Sequence, residues 1–341
     1  MTGLGGDATP PKIPEAFIAS TVAREGPAGA AWLTALPGRI RELCRRWGLA
    51  VDGPLLHGYV AVVLPVRRRN VPLMLKVSWI DRSSEHEILA LRAWAGRGAV
   101  RLVDADEVAG AMLLERLEAE HSLARAPLAE AVPVAGGLLR RLAIPAPGGL
   151  RRVSDELEEI RGGLEARWQA VGRPFSRALL ERAGDVPSPR GDAAPLLLVN
   201  QDLHYGNVLR GDREPWLVID PKPLAGDPEF GVAPLLWNRL DRSTAAADVR
   251  GRLEALVDTA GLDPERAHRW SLLRVVDYWL WALEEGFTED PERCRWLVGA
   301  LGGSAGPRAP QGRGAGGGRI AADIDDGHRG GGCPGERGDL A

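Results

Sequence analysis

Lysine is almost missing from this chain. Of 43 basic residues only Lys12, Lys76 and Lys222 are lysines, and arginine supplies the rest. A lysine that persists against such a bias marks a place where a planar arginine fork will not serve and a compact, mobile point charge will. Cysteine is also scarce: Cys44, Cys294 and Cys333 are far apart, odd in number and without metal-ligand spacing, which excludes a disulfide framework and a thiolate metal site. No apolar run approaches the roughly 20 residues of a spanning helix, so no membrane association is expected. The N-terminus, MTGLGGDATPPK, lacks the basic-then-apolar pattern of a signal peptide, and a cytoplasmic location is expected. A formal charge of −3 and a pI near 6.1 give no general attraction to nucleic acid or anionic lipid. What remains is a chain of 341 residues, 45% apolar and 26% charged, the composition of a soluble globular protein with room for two lobes.

The segments divide by texture. Residues 1–30 read as a flexible, Gly/Pro-rich N-terminal segment leading into a first lobe. From Ala31 to Trp47 apolar residues recur at helical spacing, with Pro37 as a start or kink. VAVVLPV and VPLMLKVSW, separated by the basic turn RRRN, read as an antiparallel hairpin. In SSEHEILALRAWAG, Ser84 is placed to cap a helix with Glu87 three residues on. Strand signal returns in AVRLVDAD and GAMLLERL. Residues 31–117 therefore form a small antiparallel sheet carrying one helix, and 118–301 a mainly helical lobe. The Gly/Pro/Arg-rich stretch 302–341 buries too little apolar surface to offset its ordering entropy, so disorder is expected there.

The chemistry concentrates in LLLVNQDLHYGNVLRGDREPWLVIDPKP, Leu196 to Pro223. The spacing D-x-x-x-x-N from Asp202 to Asn207 matches the catalytic loop of kinases. There an aspartate accepts the proton of an attacking hydroxyl, and an asparagine gives a hard oxygen to Mg²⁺. Asp220, ending the string WLVI, stands where kinases hold the aspartate that binds Mg²⁺ on the nucleotide phosphates. NVLR and WLVID form a hairpin that brings Asn207 and Asp220 to the same end. Upstream, Lys76 resembles the strand lysine that contacts phosphate and pairs with a helix glutamate, here Glu87, with Glu85 as second choice. The loop around Gly58 is a sparse phosphate cover, and the backbone from Glu115 to Leu117 reads as a hinge that meets an adenine edge. Lys222 is read as a phosphate contact, a substrate contact or a loop cap. His204 is read as a packed loop residue, because no second His or Cys sits nearby. The tryptophan-rich helices are read mostly as core.

With Lys76, Glu87, Asp202, Asn207 and Asp220 in order, the chain resembles the kinase-fold antibiotic phosphotransferases. More narrowly, LLLVNQDLHYGNVL, DREPWLVIDPKPLAGDP, MLLERL and LRRLAIPAPGGLRR resemble the streptomycin 6-kinase and hydroxyurea kinase family of actinomycetes, over roughly Ala31 to Leu301. The resemblance implies an α+β, bilobal protein-kinase-like fold with a small antiparallel-sheet N-lobe and a helical C-lobe. It also implies ATP and Mg²⁺ as cofactors, transfer of the γ-phosphoryl group to a drug hydroxyl, and antibiotic resistance. By carry-over Asp202 is the base, Asn207 and Asp220 hold Mg²⁺, and Lys76 with Glu87 clamps phosphate. The stretch Leu138–Leu150, with Arg140, Arg141 and Pro145, is implicated in drug binding. Many relatives carry His two residues before the base, where this chain has Asn200. A cationic streptomycin-like acceptor needs carboxylates, for which Asp241, Asp277, Glu284 and Glu285 are candidates. These are interleaved with Arg239, Arg242 and Arg274, which favours a small neutral acceptor such as hydroxyurea. Two other readings share the fold: a metabolic sugar- or choline-type kinase, and a nucleotide binder without turnover. A monomer or weak dimer is expected.

Overall fold

The computed structural model describes residues 12–82, 84–186, 195–242 and 245–302, so the tail expected to be disordered lies, from residue 303, outside the described residues. The chain opens with helix α1, Glu15–Trp47. The helix starts sixteen residues before the periodic segment read from sequence. Its break falls at Gly26 (φ 58°, ψ −139°), not at Pro37, which the helix accommodates. Gly26 lacks the Cβ that would clash at positive φ, and Pro27 then restarts the helix with a pre-set φ. Phe17, on the early half, is fully buried against Trp32 and His57, so this half belongs to the N-lobe core and not to a flexible lead.

Strands β1 (Ala50–Val51), β2 (Leu56–His57), β3 (Ala61–Arg68) and β4 (Val71–Ser78) follow, then helix α2 (Glu87–Trp94) and strands β5 (Leu102–Asp106) and β6 (Ala111–Glu115). The sheet order is β1-β3-β4-β6-β5, with β2 also on β3 and every pair antiparallel. The β3–β4 hairpin turns through Arg69 and Asn70 at φ 51° and 68°, as a two-residue turn matching the strand twist requires.

Because side chains alternate along a strand, β4 sorts its residues onto two faces. Leu73, Leu75 and Val77 join α1 in one core, while Met74 packs toward the other. Lys76 shares the face of Met74 and so points to the second lobe. Helix α2 belongs to that second core as well. Trp94 is 1% exposed and its Nε1 donates to Leu142 O at 2.9 Å.

The C-lobe begins with β7 (Glu118–Ser122), a strand with four exposed residues and no periodic signal in sequence. Helices α3 (Leu128–Leu142), α4 (Val153–Ala170) and α5 (Arg177–Gly184) lead to β8 (Leu197–Asn200), β9 (Val208–Arg210), β10 (Leu217–Val218) and β11 (Pro223–Gly226). Strand β9 lies between β7 and β10, and β8 pairs with β11. Helices α6 (Ala233–Trp237), α7 (Ala246–Ala260), α8 (Pro264–Glu284) and α9 (Glu289–Leu301) complete it. Trp270, Trp279 and Trp296 are buried in its core, as expected of the tryptophan-rich helices. No described helix is long and apolar enough to cross a membrane.

If the early half of α1 holds the N-lobe together, Phe17→Ala lowers stability by about 3–5 kcal/mol, the range for truncating a buried phenylalanine. Thermal unfolding of the variant reads that loss, and an unchanged midpoint contradicts the assignment.

Candidate active site

The site is built on the Lys76 ammonium. Lys76 Nζ donates to Glu87 Oε1 and Oε2 at 2.8 and 2.7 Å, and to Asp220 Oδ1 at 2.5 Å. The expected pair is therefore formed, with the second lobe's aspartate added. Glu85 instead lies beside His86 at 3.3 Å. Ser84 does not cap α2. Its Oγ accepts from Asp81 N at 3.1 Å and donates to Asp81 Oδ1 at 2.8 Å, a local turn, and the helix begins at Glu87 with His86 as its uncapped N-terminal neighbour.

Two carboxylates face one ammonium in a buried space. Burial raises the Glu87 carboxyl, the Lys76 charge opposes this and the Asp220 charge adds to it, leaving Glu87 pushed up to about 7. Burial by itself disfavours the charged Lys76, but Asp220 and Glu87 outweigh it and hold the ammonium protonated above its ordinary range.

Asp220 follows β10 at φ 48°, a left-handed conformation costing a non-glycine residue about 1–2 kcal/mol. The β9–β10 hairpin brings Asn207 to it as expected: Val208 pairs with Val218, and Ile219 N donates to Asn207 O at 2.9 Å. Asn207 is 1% exposed, and its Nδ2 donates to Asp202 O at 3.4 Å. His204 is the packed loop residue expected, its Nδ1 accepting from Gly206 N at 3.1 Å. An amide oxygen and a carboxylate carried on adjoining hairpin positions are hard donors suited to Mg²⁺, which is commonly held by one or two carboxylates together with substrate phosphates. Among the described residues no cluster of three or more His, Cys, Asp or Glu offers a complete protein cage.

Asn200 ties the two functional loops together. Its Oδ1 accepts from Asp202 N and from Lys222 N, both at 3.1 Å, and Gln201 N donates to Lys222 O at 3.0 Å. Lys222 Nζ lies 3.0 Å from Asp202 Oδ2. Below the loop, Arg274 donates to Gln201 O at 2.7 Å and to Phe230 O at 3.1 Å, and its guanidinium lies 4.5 Å from the Phe230 ring. Arg274 was legible only as a charge among the candidate acceptor carboxylates and not as support for this loop, because its partners lie 44 and 73 residues away. Asn200 was visible as a departure from the family pattern, but not as a bridge.

The remaining expected residues scatter. Gly58 sits in the turn from β2 to β3, donating its N–H to Ala61 O at 2.9 Å, with no atom within 4 Å of where a Cβ would stand. Glu115 N donates to Arg101 O at 3.0 Å, and its carboxylate pairs at 2.6 Å with Arg213 of the β9–β10 turn, so both groups of Glu115 are committed, the second across the lobes. Leu117 packs near Gly211 of the β9–β10 turn. In the segment expected to bind the drug, Leu138 is in the core and Leu150 packs against it. Arg141 pairs with Glu214 at 2.8 Å, Pro145 bridges Leu197, and Arg140 is exposed. These contacts run to the C-lobe interior and the hairpin turn. Asp277 and Glu284 share Arg167, at 2.5 and 2.8 Å, and Asp241 is exposed beside Arg242 at 3.2 Å.

Two outcomes test this geometry. Asn200→Leu keeps the bulk but strands two N–H groups, that of Asp202 buried and that of Lys222 partly so, and a stability loss of about 2 kcal/mol is expected in denaturant unfolding. For Glu87, the folded carboxyl keeps its proton up to about 7 while the unfolded one releases it near 4.5. The folded state thus binds more protons between these values, and the group's contribution to stability falls as pH rises through them. Wild type should lose melting temperature relative to Glu87→Gln from about pH 4.5 to 7, and a constant difference would contradict the assignment.

A family model described as aminoglycoside/hydroxyurea antibiotic resistance kinase matches residues 46–286. The chain is 42% identical over 309 residues to a hydroxyurea phosphotransferase from Kitasatospora aureofaciens, covering 86% of this chain and 87% of that one. It is 40% identical over 283 residues to a streptomycin 6-kinase from Streptomyces glaucescens, covering 81% and 92%. A solved aminoglycoside phosphotransferase, in ternary complex with AMP-PNP and hygromycin B, superposes with a TM-score of 0.54 at 17% identity, covering 77% of this chain and 99% of that one. That likeness is one of fold, the bilobal kinase-like fold expected from sequence. The chain belongs to the family of aminoglycoside/hydroxyurea antibiotic resistance kinases.

Proposed function

We propose that this kinase inactivates an antibiotic by moving the γ-phosphoryl group of ATP onto a hydroxyl of the drug, and that the acceptor is small and neutral, of the hydroxyurea type. The convergence of Lys76, Asn207 and Asp220 from two lobes beside Asp202 carries the reading. In it, Lys76, oriented by Glu87, meets the nucleotide phosphates, and Asn207 with Asp220 holds Mg²⁺, which neutralises charge on the phosphates when bound. Asp202 takes the proton of the acceptor hydroxyl. The turn at Gly58 covers phosphate, and Leu117 takes the adenine edge, since Glu115 N is already committed.

The acceptor class rests on charge. A polycationic aminoglycoside needs free carboxylates, yet Asp277 and Glu284 are both engaged by Arg167. Phosphorylation adds about −1.5 to −2 charge at pH 7 and bulk, which spoils a drug's fit to its target.

Purified protein with Mg·ATP is expected to phosphorylate hydroxyurea faster than streptomycin, and Asp202→Ala to lower turnover at least about 100-fold while nucleotide binding survives. Turnover of streptomycin alone would reverse the acceptor assignment. Full activity of the Asp202 variant would remove the mechanism.

A further inference from the structure

The cleft holds a second lysine, and it sits on the base. Lys222 Nζ is 3.0 Å from Asp202 Oδ2, with only 18% of its side chain exposed. A carboxylate oxygen engaged by an ammonium is a poor acceptor for a hydroxyl proton, so this pair opposes the chemistry assigned to Asp202 unless Lys222 has somewhere else to go. The backbone of Lys222 is pinned from both sides, its N–H on Asn200 Oδ1 and its carbonyl under Gln201 N. Only the side chain is left to move.

The direction of movement is toward the other half of the site. Lys222 is two residues past Asp220, whose carboxylate holds Lys76. Beyond burial and the charges of Lys76 and Asp220, the buried Glu87 carboxyl also feels the Lys222 charge. Lys222 is therefore in contact with the base and within electrostatic reach of the phosphate-binding cluster. The residue type fits. An arginine here would grip Asp202 with a two-pronged fork, whereas an ammonium with rotatable donors can trade one oxyanion for another. This is one of three lysines kept among 43 basic residues.

We propose that Lys222 is an exchangeable latch: in the empty enzyme it holds Asp202, and when a nucleoside triphosphate enters it transfers to a γ-phosphoryl oxygen, releasing Asp202 for the acceptor. This rests on the kinase reading above. In the transfer itself the acceptor oxygen bonds to the γ-phosphorus, and its proton passes to Asp202. The bond from that phosphorus to the β–γ bridging oxygen breaks, its electron pair leaving with ADP. Lys222 meets charge on the transferring group and takes no part in the proton's path. The latch couples base exposure to triphosphate binding, so a diphosphate leaves Asp202 covered.

The test needs no acceptor. The affinities of Mg·AMP-PNP and Mg·ADP are measured by calorimetry for the full chain and for Lys222→Met, Lys222→Gln, Asp202→Asn and the Asp202→Asn/Lys222→Met double variant. Loss of a charge-assisted contact predicts that Lys222→Met and Lys222→Gln bind AMP-PNP about tenfold or more weakly while ADP binding holds. Asp202→Asn removes the competitor for the ammonium, so its AMP-PNP affinity should rise severalfold, and the double variant should lose that gain. An unchanged AMP-PNP to ADP ratio in the Lys222 variants, or no gain in Asp202→Asn, overturns the exchange. If neither Lys222 variant retains ADP binding, the Asp202→Asn arm decides alone. A wild-type chain that binds neither nucleotide sinks the kinase reading, and the latch with it. Wild-type nucleotide binding without the predicted shifts sinks the latch only.

Discussion

One buried ammonium joins the two lobes of this protein. Lys76 comes from the centre of the N-lobe sheet, Glu87 from the helix packed across its inner face, and Asp220 from the hairpin of the C-lobe. Removing one partner from a buried ion pair typically costs about 3–5 kcal/mol, because the remaining charge cannot be solvated. The Lys76 cluster therefore constrains where α2 stands and how the Asp220 turn is held in its strained conformation. Glu87 lies 2% exposed because the rest of α2, Ala90, Leu91 and Trp94, is anchored in the core of the other lobe.

The second constraint is backbone stitching. Asn200 accepts two amide protons from two loops, so the base and the Asp220 turn share one reference point. Arg274 supports the same loop from α8, with its guanidinium near Phe230 and Trp237. Trp237, Tyr278 and Trp281 continue that column as stacked rings, which makes them support for the site more than a lining of it. Precision at Asp202 thus derives from rigid elements and short local bonds, as sites demanding sub-ångström placement require.

Several readings failed for identifiable reasons. Ser84 and Glu87 have the spacing of a capping box, yet the glutamate is taken by Lys76 and the serine by Asp81, a competition invisible to a local pattern. Gly26 breaks α1 because its conformation, not the nearby proline count, decides where a helix bends. Strand β7 has four exposed residues and no apolar alternation, so it forms only through its pairing with β9. The carboxylates at Asp277 and Glu284 looked available for a cationic ligand until Arg167, over 100 residues away, was seen to hold both.

By itself the sequence determined the local chemistry. Three lysines in an arginine-rich chain, an Asp and Asn five apart after an apolar strand, and a further Asp at the next strand's end name the parts of a phosphotransferase. Alternation along β4 even decides which face Lys76 takes. The Lys76–Glu87 pair was legible too, but tertiary structure decided which further charges meet. That Asp220 joins Lys76 from 144 residues away, that Lys222 covers Asp202 from the neighbouring loop, and that Arg167 engages Asp277 and Glu284 from over 100 residues away are contacts that no local pattern specifies. Coulomb interactions depend on distance and burial, and folding sets both.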